Sequence, residues 1–488
     1  MKSFVFWAKR NRDAGYLFFS ATLLIGLCCS KPVMSSSFIG YVLWFISFGD
    51  YQAFKVRLIE NRNWILPLIL LMILHALSLI WSDDLVLGIK GLKVRISAFI
   101  LPLLIAGTFP FSRENLLRLG NLLLLALTAV MLINWIHFGY LLQQGTFEDI
   151  RQLSWLDSHI RFGILTAFSL AISRYLISQQ PNFRYGYWGY MLFTTAFLIY
   201  SQTLSSFFCL LLVILFALIE LRIYGKMNPW IKSIIFLPFV IGIIAVVFDL
   251  SKPFEPCPPI KNKAKAALLW NQRSKVKFDR LDAKSQPISS TCERYLCSKY
   301  GSSNDVGIGE LTDEDIRNIE LGFTDPQEAN GGFMHKYNAL KYQLHETNNP
   351  NGNSLLQRII YWQVSLKTIK KEPLLGVGIG DIDAELYKNF KATSLLEKNY
   401  KRSHNMYLTS WLACGILAPL LLIYLGLYLL YLGIKHRFAL LALFSVLILF
   451  TMFYEDSIET QSGATFFGLF IALLASKKAI AAWNLKIA

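Results

Sequence analysis

The sequence predicts an all-α membrane protein: a bundle of about twelve hydrophobic helices, with one large basic segment inserted between the ninth and the tenth. Three observations predict it. The chain is 54% hydrophobic over 488 residues, more than an ordinary soluble domain carries. Its apolar residues run in continuous blocks of bilayer-spanning length rather than alternating, which favours helices over a closed barrel. Lys and Arg concentrate in every second short loop, the asymmetry of a polytopic protein.

The expected spans are 15–30, 37–49, 63–82, 96–109, 117–140, 160–178, 186–202, 204–222, 230–250, 405–434, 437–454 and 462–480. The first follows a basic start (Lys2, Lys9, Arg10, Arg12) without a small-residue cleavage site, so it reads as a retained helix rather than a signal peptide. The second and fourth are short for a bilayer, and the tenth is long. Inward loops hold Lys55, Arg57 and Arg62; Arg113 and Arg118; Arg174 and Arg184; Arg222, Lys226 and Lys232; Lys435 and Arg437. Two outward turns, around Gln202 and from Glu455 to Gln461, hold no Lys or Arg. Both termini are therefore expected in the cytoplasm of a bacterial cell with the chain in its inner membrane. Residues 1–250 form the first nine spans, 251–404 a periplasmic loop domain, and 405–488 the last three spans.

The net charge of +16 follows from positive-inside bias and attraction to anionic membrane lipids. No nucleic-acid-binding module accompanies it, so nucleic acid is not an expected partner. The insert changes composition abruptly, with prolines at its entry (Pro253, Pro256, Pro258, Pro259) and a run from Asn348 to Asn353. It carries Cys257, Cys292 and Cys297, two of which could pair in an oxidising compartment.

The informative residues are cations on the outward side. Arg161 begins the sixth span, and Lys93 and Arg95 stand before the fourth. Snorkelling to headgroups is the blander account of a cation at a helix mouth. A cluster of such cations instead suits a phosphate or pyrophosphate ligand, because Arg forks match phosphate oxygens bidentately. Arg358 lies in an apolar-periodic stretch from Ser354 to Trp362 that reads as a helix. The glycines of Gly376-Val377-Gly378-Ile379-Gly380 let backbone amides approach an anion, and a tight turn after a helix explains them equally well. His404 follows two cations, Lys401 and Arg402, and precedes Asn405 at the mouth of the tenth span. Imidazole accepts a proton near neutral pH without a metal. Asp83-Asp84 reads as a solvated loop rather than a metal pair.

Two motifs carry a resemblance. Arg161-Phe162-Gly163-Ile164-Leu165 matches an Arg-x-x-x-Leu pattern, and His404-Asn405 followed by Gly415 matches a His-Asn…Gly pattern. In this order, and with a large loop before the His span, the chain resembles the O-antigen ligase family, within the superfamily shared with O-antigen polymerases and bacterial O-oligosaccharyltransferases. The stretch Arg358…Trp362…Pro373…Gly376-Val377-Gly378 is similar to the family's segment before the His. Ala418 stands where the family pattern prefers Gly, Thr or Tyr, and residues 251–340 resemble nothing in it.

The resemblance implies a GT-C-like, metal-independent glycosyltransferase without a cofactor. It would move a glycan from undecaprenyl pyrophosphate to an acceptor at the periplasmic face, lipid A–core for a ligase, a growing glycan or a protein for its relatives. It implies His404 as base, Arg161 and Arg358 on pyrophosphate with Arg95 and Lys93 assisting, and Asn405, Glu459, Trp362 and Tyr407 as acceptor-side or orienting residues. A secondary transporter or lipid-linked-sugar flippase is the competing class. Against it, no matched pair of Gly/Pro-broken helices appears in the two halves.

Overall fold

The computed structural model describes the chain except residues 1–10, 146–149, 202, 225–236, 238–240, 243, 253–258, 285, 302, 304, 327–336, 338–339, 342, 346–349, 352 and 485–488. The described residues are helical throughout, with no strand beyond an isolated bridge between Leu281 and Pro287. They divide into two compact units. The first comprises 1–232, 365–386 and 402–488; the second comprises 233–364 and 387–401.

In the first unit the chain runs through α1 (Arg12–Cys29), α2 (Lys31–Phe48), α3 (Tyr51–Glu60), α4 (Arg62–Leu77), α5 (Leu85–Thr108), α6 (Arg113–Gln144), α7 (His159–Gln179), α8 (Arg184–Ser201) and α9 (Leu204–Tyr224). The local chemistry sets where these begin. Ser30, Asp50, Asp84 and Ser112 each accept a hydrogen bond from the first turn of α2, α3, α5 and α6. Gly145 ends α6 in the left-handed conformation. Every expected span of the first eight coincides with one of these helices; span 230–250 is described only in part, and 244–251 is helical.

By length and composition α1, α6, α7 and the later helix Leu417–Lys435 are able to cross a membrane, and up to six segments are if two bent helix pairs each count as one. One bent pair is α2 with α3, turned by 118°. Many large apolar side chains face outward, among them Phe18, Ile39, Leu125, Ile136 and Leu192. A water-exposed surface would not carry so many, and lipid is their natural solvent. The chain is a multi-pass membrane protein.

The second unit holds α10 (Lys263–Asn271), α11 (Ile288–Tyr300), α12 (Asp305–Gly309) and α13 (Asp313–Glu320), which enclose their own core around Trp270, Phe278, Ile288, Tyr295 and Ile319. Thr312 and Asp315 form a reciprocal cap on α13. Burial alone would raise the Asp315 carboxyl, but hydrogen bonds from Lys299, Tyr295 and Thr312 outweigh it and hold it down at about 2. Cys292 is a buried free thiol in this core, whereas Cys297 is disulfide-bonded. The two are therefore not paired with each other, as their places on one helix require. Cys257 lies outside the described residues.

Helix α14 (Ser354–Ile369) carries Arg358 and Trp362, and α15 (Ile382–Phe390) follows the glycine-rich run. Then come α16 (Met406–Cys414), α17 (Leu417–Lys435), α18 (Ala439–Tyr454), α19 (Gln461–Ala475) and α20 (Lys477–Asn484). The expected tenth span is broken between α16 and α17 at Gly415, whose φ is +79°. A side chain there would meet the Leu374 carbonyl at 1.8 Å, so only glycine fits. The glycine-rich run satisfies the broken backbone: Val377 N–H donates to Leu412 O at 2.8 Å, and Ile416 N–H to Pro373 O at 3.2 Å. Irregular backbone at such depth needs partners of this kind. Gly380 N–H goes to Ser82 Oγ, and the Asp381 carboxylate accepts from Asp83 and Asp84 N–H. The run is thus a packing turn, and Asp83-Asp84 is one wall of it.

The core of the first unit lies where α5, α7, α18 and α19 meet. Phe168, Phe444, Phe466 and Phe470 form an aromatic cluster there. Gly468 lets α19 approach α5 so closely that a Cβ would lie 2.7 Å from Ser97 O. That contact holds α5 against α19, the helix that follows the acidic loop from Glu455 to Thr460.

Candidate functional site

Four chain ends of the first unit gather the charged side chains: the start of α7, the residues before α16, the end of α18 and the residues before α19. Arg161 sits in the first turn of α7, half-buried. His404 precedes α16 and has φ +47°. A non-glycine residue rarely adopts that conformation unless its surroundings impose it, and such positions cluster at functional sites. The surroundings are identifiable. Asp456 accepts the His404 backbone N–H at 3.0 Å and the Thr409 hydroxyl at 2.6 Å. Ser403 Oγ bonds Thr409 Oγ1 and the Asn405 carbonyl, and receives Asn405 N–H. Asn405 Oδ1 caps α16 by accepting from Tyr407 N–H and Leu408 N–H. The imidazole is thereby presented on a turn pinned at both ends.

Glu455 lies between the two cationic groups. Its Oε1 is 3.9 Å from Arg161 Nη2, and its Oε2 is 3.7 Å from His404 Nδ1. The Glu455 side chain is only 8% exposed. Both separations exceed a hydrogen bond, so the carboxylate straddles two partners and is committed to neither. Arg161 Nε is buried without a hydrogen-bond partner among the described residues. Beside this group a small cavity is lined by Asp157, Arg161, Glu455 and Ser457 at its polar side and by Phe162, Met452 and Phe466 among its apolar walls.

The remaining residues singled out by the sequence fall as follows. Helix α5 begins ten residues before Arg95, at the Asp84 cap, so Arg95 stands inside the helix rather than at its mouth. It is 1% exposed, and its guanidinium pairs with Glu459. Glu459 also holds Arg402 at 2.7 Å, and Arg402 in turn makes two bonds to Asp383. Burial alone would raise the Asp383 carboxyl; the bonds and charge of Arg402 overcome this and keep it below the usual carboxylate range. The carboxylate at the imidazole is thus Glu455, and Glu459 belongs to a neighbouring Arg95–Glu459–Arg402–Asp383 chain. Lys93 is exposed on α5. Tyr407 commits its hydroxyl to Leu449 O at 2.9 Å. Arg358 and Trp362 belong to the second unit, where Tyr361 beside them bonds Asn399 O at 2.7 Å.

Burial, with the nearby Glu459 charge adding to it, pushes the Asp456 carboxyl up to about 6. A carboxyl raised on folding stabilises the fold fully below its unfolded value, near 3.8. That contribution fades as pH rises through about 6. The thermal stability of the wild type relative to Asp456→Asn should therefore fall between about pH 4 and pH 6 and be flat above. A difference independent of pH across that window would contradict the assignment.

Residues 189–423 match the family model described as O-antigen ligase. The match takes in Arg358, Trp362, His404, Asn405 and Gly415 and ends before Glu455, while Arg161 precedes it. No curated protein matches the chain.

Proposed function

We propose that this member of the O-antigen ligase family is a glycosyltransferase moving a glycan from undecaprenyl pyrophosphate to an acceptor hydroxyl at the periplasmic face of the inner membrane, with lipid A–core as the acceptor. The observation that carries it is one carboxylate, Glu455, within 4 Å of both Arg161 and His404. A cation and a proton acceptor side by side are what displacement of pyrophosphate by a hydroxyl requires.

In this reaction the acceptor oxygen attacks the anomeric carbon as the bond from that carbon to the pyrophosphate oxygen breaks. Charge grows on the leaving group, and Arg161 stabilises it with its planar fork. The acceptor's proton passes to Nε2 of His404. Glu455 faces Nδ1, so a proton held there keeps Nε2 bare, and the 3.7 Å separation closes to a hydrogen bond once donor takes over Arg161. Buried Arg95 acts through Glu459 and Arg402 rather than on the substrate; exposed Lys93 contributes to the positive field around the site. Tyr407 would contact sugar only by its ring face, since its hydroxyl is already engaged.

The reading includes about twelve spans, cytoplasmic termini and residues 251–404 in the periplasm, supported by the Lys/Arg asymmetry of the short loops. A reporter active only in the cytoplasm, fused after Tyr300, should be silent; activity there would reverse the topology and remove the site from the periplasm. The deciding experiment uses purified protein, lipid-linked glycan and lipid A–core. A new glycan–acceptor bond is the expected product. In a deletion strain, lipopolysaccharide core without polymer marks a ligase, core with a single unit a polymerase, and unchanged lipopolysaccharide a protein glycosyltransferase. Movement of intact donor across the bilayer with no bond formed would favour a transporter.

A further inference from the structure

The mouth of the cavity beside Arg161 holds a group that the transfer chemistry leaves unused. Asp157 lies four residues before Arg161, in the bend that leads into α7, and lines the same cavity. Its Oδ1 is buried and has no hydrogen-bond partner among the described residues. A buried carboxylate oxygen without a donor is costly, so the site is built for a donor that arrives with a ligand. The chemistry of that ligand is restricted. Pyrophosphate oxygens carry the same sign of charge and no proton to give. A prenyl chain has no donor. Hydroxyl or amide N–H groups qualify, and in a lipid pyrophosphate substrate these begin at the sugar attached directly to the phosphate.

A second observation points the same way. Trp155, two residues before Asp157, is 57% exposed. Its ring stacks on His137 of α6 with centroids 4.4 Å apart and planes 4° from parallel. One face of the indole is thereby fixed and the other is presented outward. A fixed, flat, apolar face two residues along the chain from an acceptor of hydroxyl hydrogens suits a pyranose, which shows C–H groups on one face and hydroxyls at its rim.

Resting on the glycosyltransferase reading above, we infer that Trp155 and Asp157 form a subsite for the sugar that follows the pyrophosphate of the donor, Trp155 stacking on its ring and Asp157 accepting its hydroxyl or amide hydrogens. Arg161 then holds the phosphates and Asp157 reads what they carry. A donor lacking sugar leaves Asp157 unsatisfied, so the site discriminates loaded lipid from the spent undecaprenyl pyrophosphate that the reaction releases. Unsatisfied polar groups give discrimination of this kind far more strongly than lost apolar contact does.

The test compares two probes on the full-length protein in lipid nanodiscs: undecaprenyl pyrophosphate, and the same lipid carrying one N-acetylglucosamine. The wild type should bind the sugar-bearing lipid about ten- to a hundredfold more tightly. Asp157→Asn and Trp155→Ala should lose most of that preference while binding the bare lipid as the wild type does, which also shows that they are folded. Trp155→Phe, which keeps a ring, should retain most of it. Equal wild-type affinity for the two lipids, or an unchanged preference in both variants, would overturn the subsite. An equal loss for both lipids in Trp155→Ala would make that residue an interfacial anchor instead. Binding of neither lipid by the wild type would count against the glycosyltransferase reading itself.

Discussion

His404→Ala and His404→Gln should both accumulate in the membrane, bind lipid-linked donor, and lose turnover by roughly a hundredfold to ten-thousandfold, the range for removing a positioned general base. An acceptor sugar hydroxyl is a poor nucleophile and must shed its proton as it attacks. The imidazole is placed for that task by a turn held at φ +47°, and the hydrogen bonds that hold it there come from the backbone N–H of His404 and from Ser403, Asn405, Thr409 and Asp456. None of them uses the ring. Removing the ring therefore leaves the turn's framework in place, and asparagine or glycine at 404 would relieve rather than add backbone strain. The Gln variant is the sharper of the two, since its amide donates and accepts hydrogen bonds but does not take up a proton. Near-normal turnover in His404→Gln would mean that the residue only positions groups, and the base role would have to be given up. Loss of accumulation in both variants would point to a structural role.

How much of this was legible in the sequence differs between fold and site, for physical reasons. Helices α1, α2 and α4 to α9 were legible because apolar continuity is a local property, whereas the short α3 was not expected. The break at Gly415 was not, because it depends on the chain segment from Pro373 to Val377 folding back to bond the exposed ends of α16 and α17. The same fold-back decided between the anion approach and the tight turn that the glycine-rich run left open, in favour of the turn. Within the site, Arg161 and His404 were legible from residue type and position at span mouths. The partner between them was not: Glu455 and Glu459 lie four residues apart in one acidic cluster, and only the geometry of the turn after α18 separates the carboxylate that faces the imidazole from the one that binds Arg95 and Arg402. Asp157 and Trp155 carried no signal either, since an isolated acid and an interfacial tryptophan are common at span ends. The burial of Arg95 follows from where α5 begins, eleven residues earlier than its apolar block, because Asp84 supplies a cap and Lys90 and Lys93 tolerate a helix that extends beyond the hydrocarbon.

Arg161→Ala should lower turnover by about a hundred- to a thousandfold, the usual effect of removing one preorganised donor from a developing negative charge. Arg161→Lys should recover only a small part of this. The reason lies in the partners. Arg161 has a buried Nε without a partner among the described residues and an Nη2 standing 3.9 Å from Glu455, so a fork is available to an incoming phosphate while a carboxylate marks its place. Lysine restores charge but supplies neither the planar fork nor the reach to hold two oxygens together. It would also pair with Glu455 as a point charge and draw that carboxylate away from His404. The companion variant Glu455→Gln separates these effects. If Glu455 serves mainly to hold the imidazole, its loss should lower turnover and leave donor affinity near that of the wild type, because the hold of Arg161 on pyrophosphate does not then depend on it. If it serves mainly as a placeholder for phosphate, donor affinity should rise and turnover should change little. Full activity in Arg161→Ala, with lipid-linked donor saturating at the wild-type concentration, would remove Arg161 from the site and with it the joint arrangement built around Glu455.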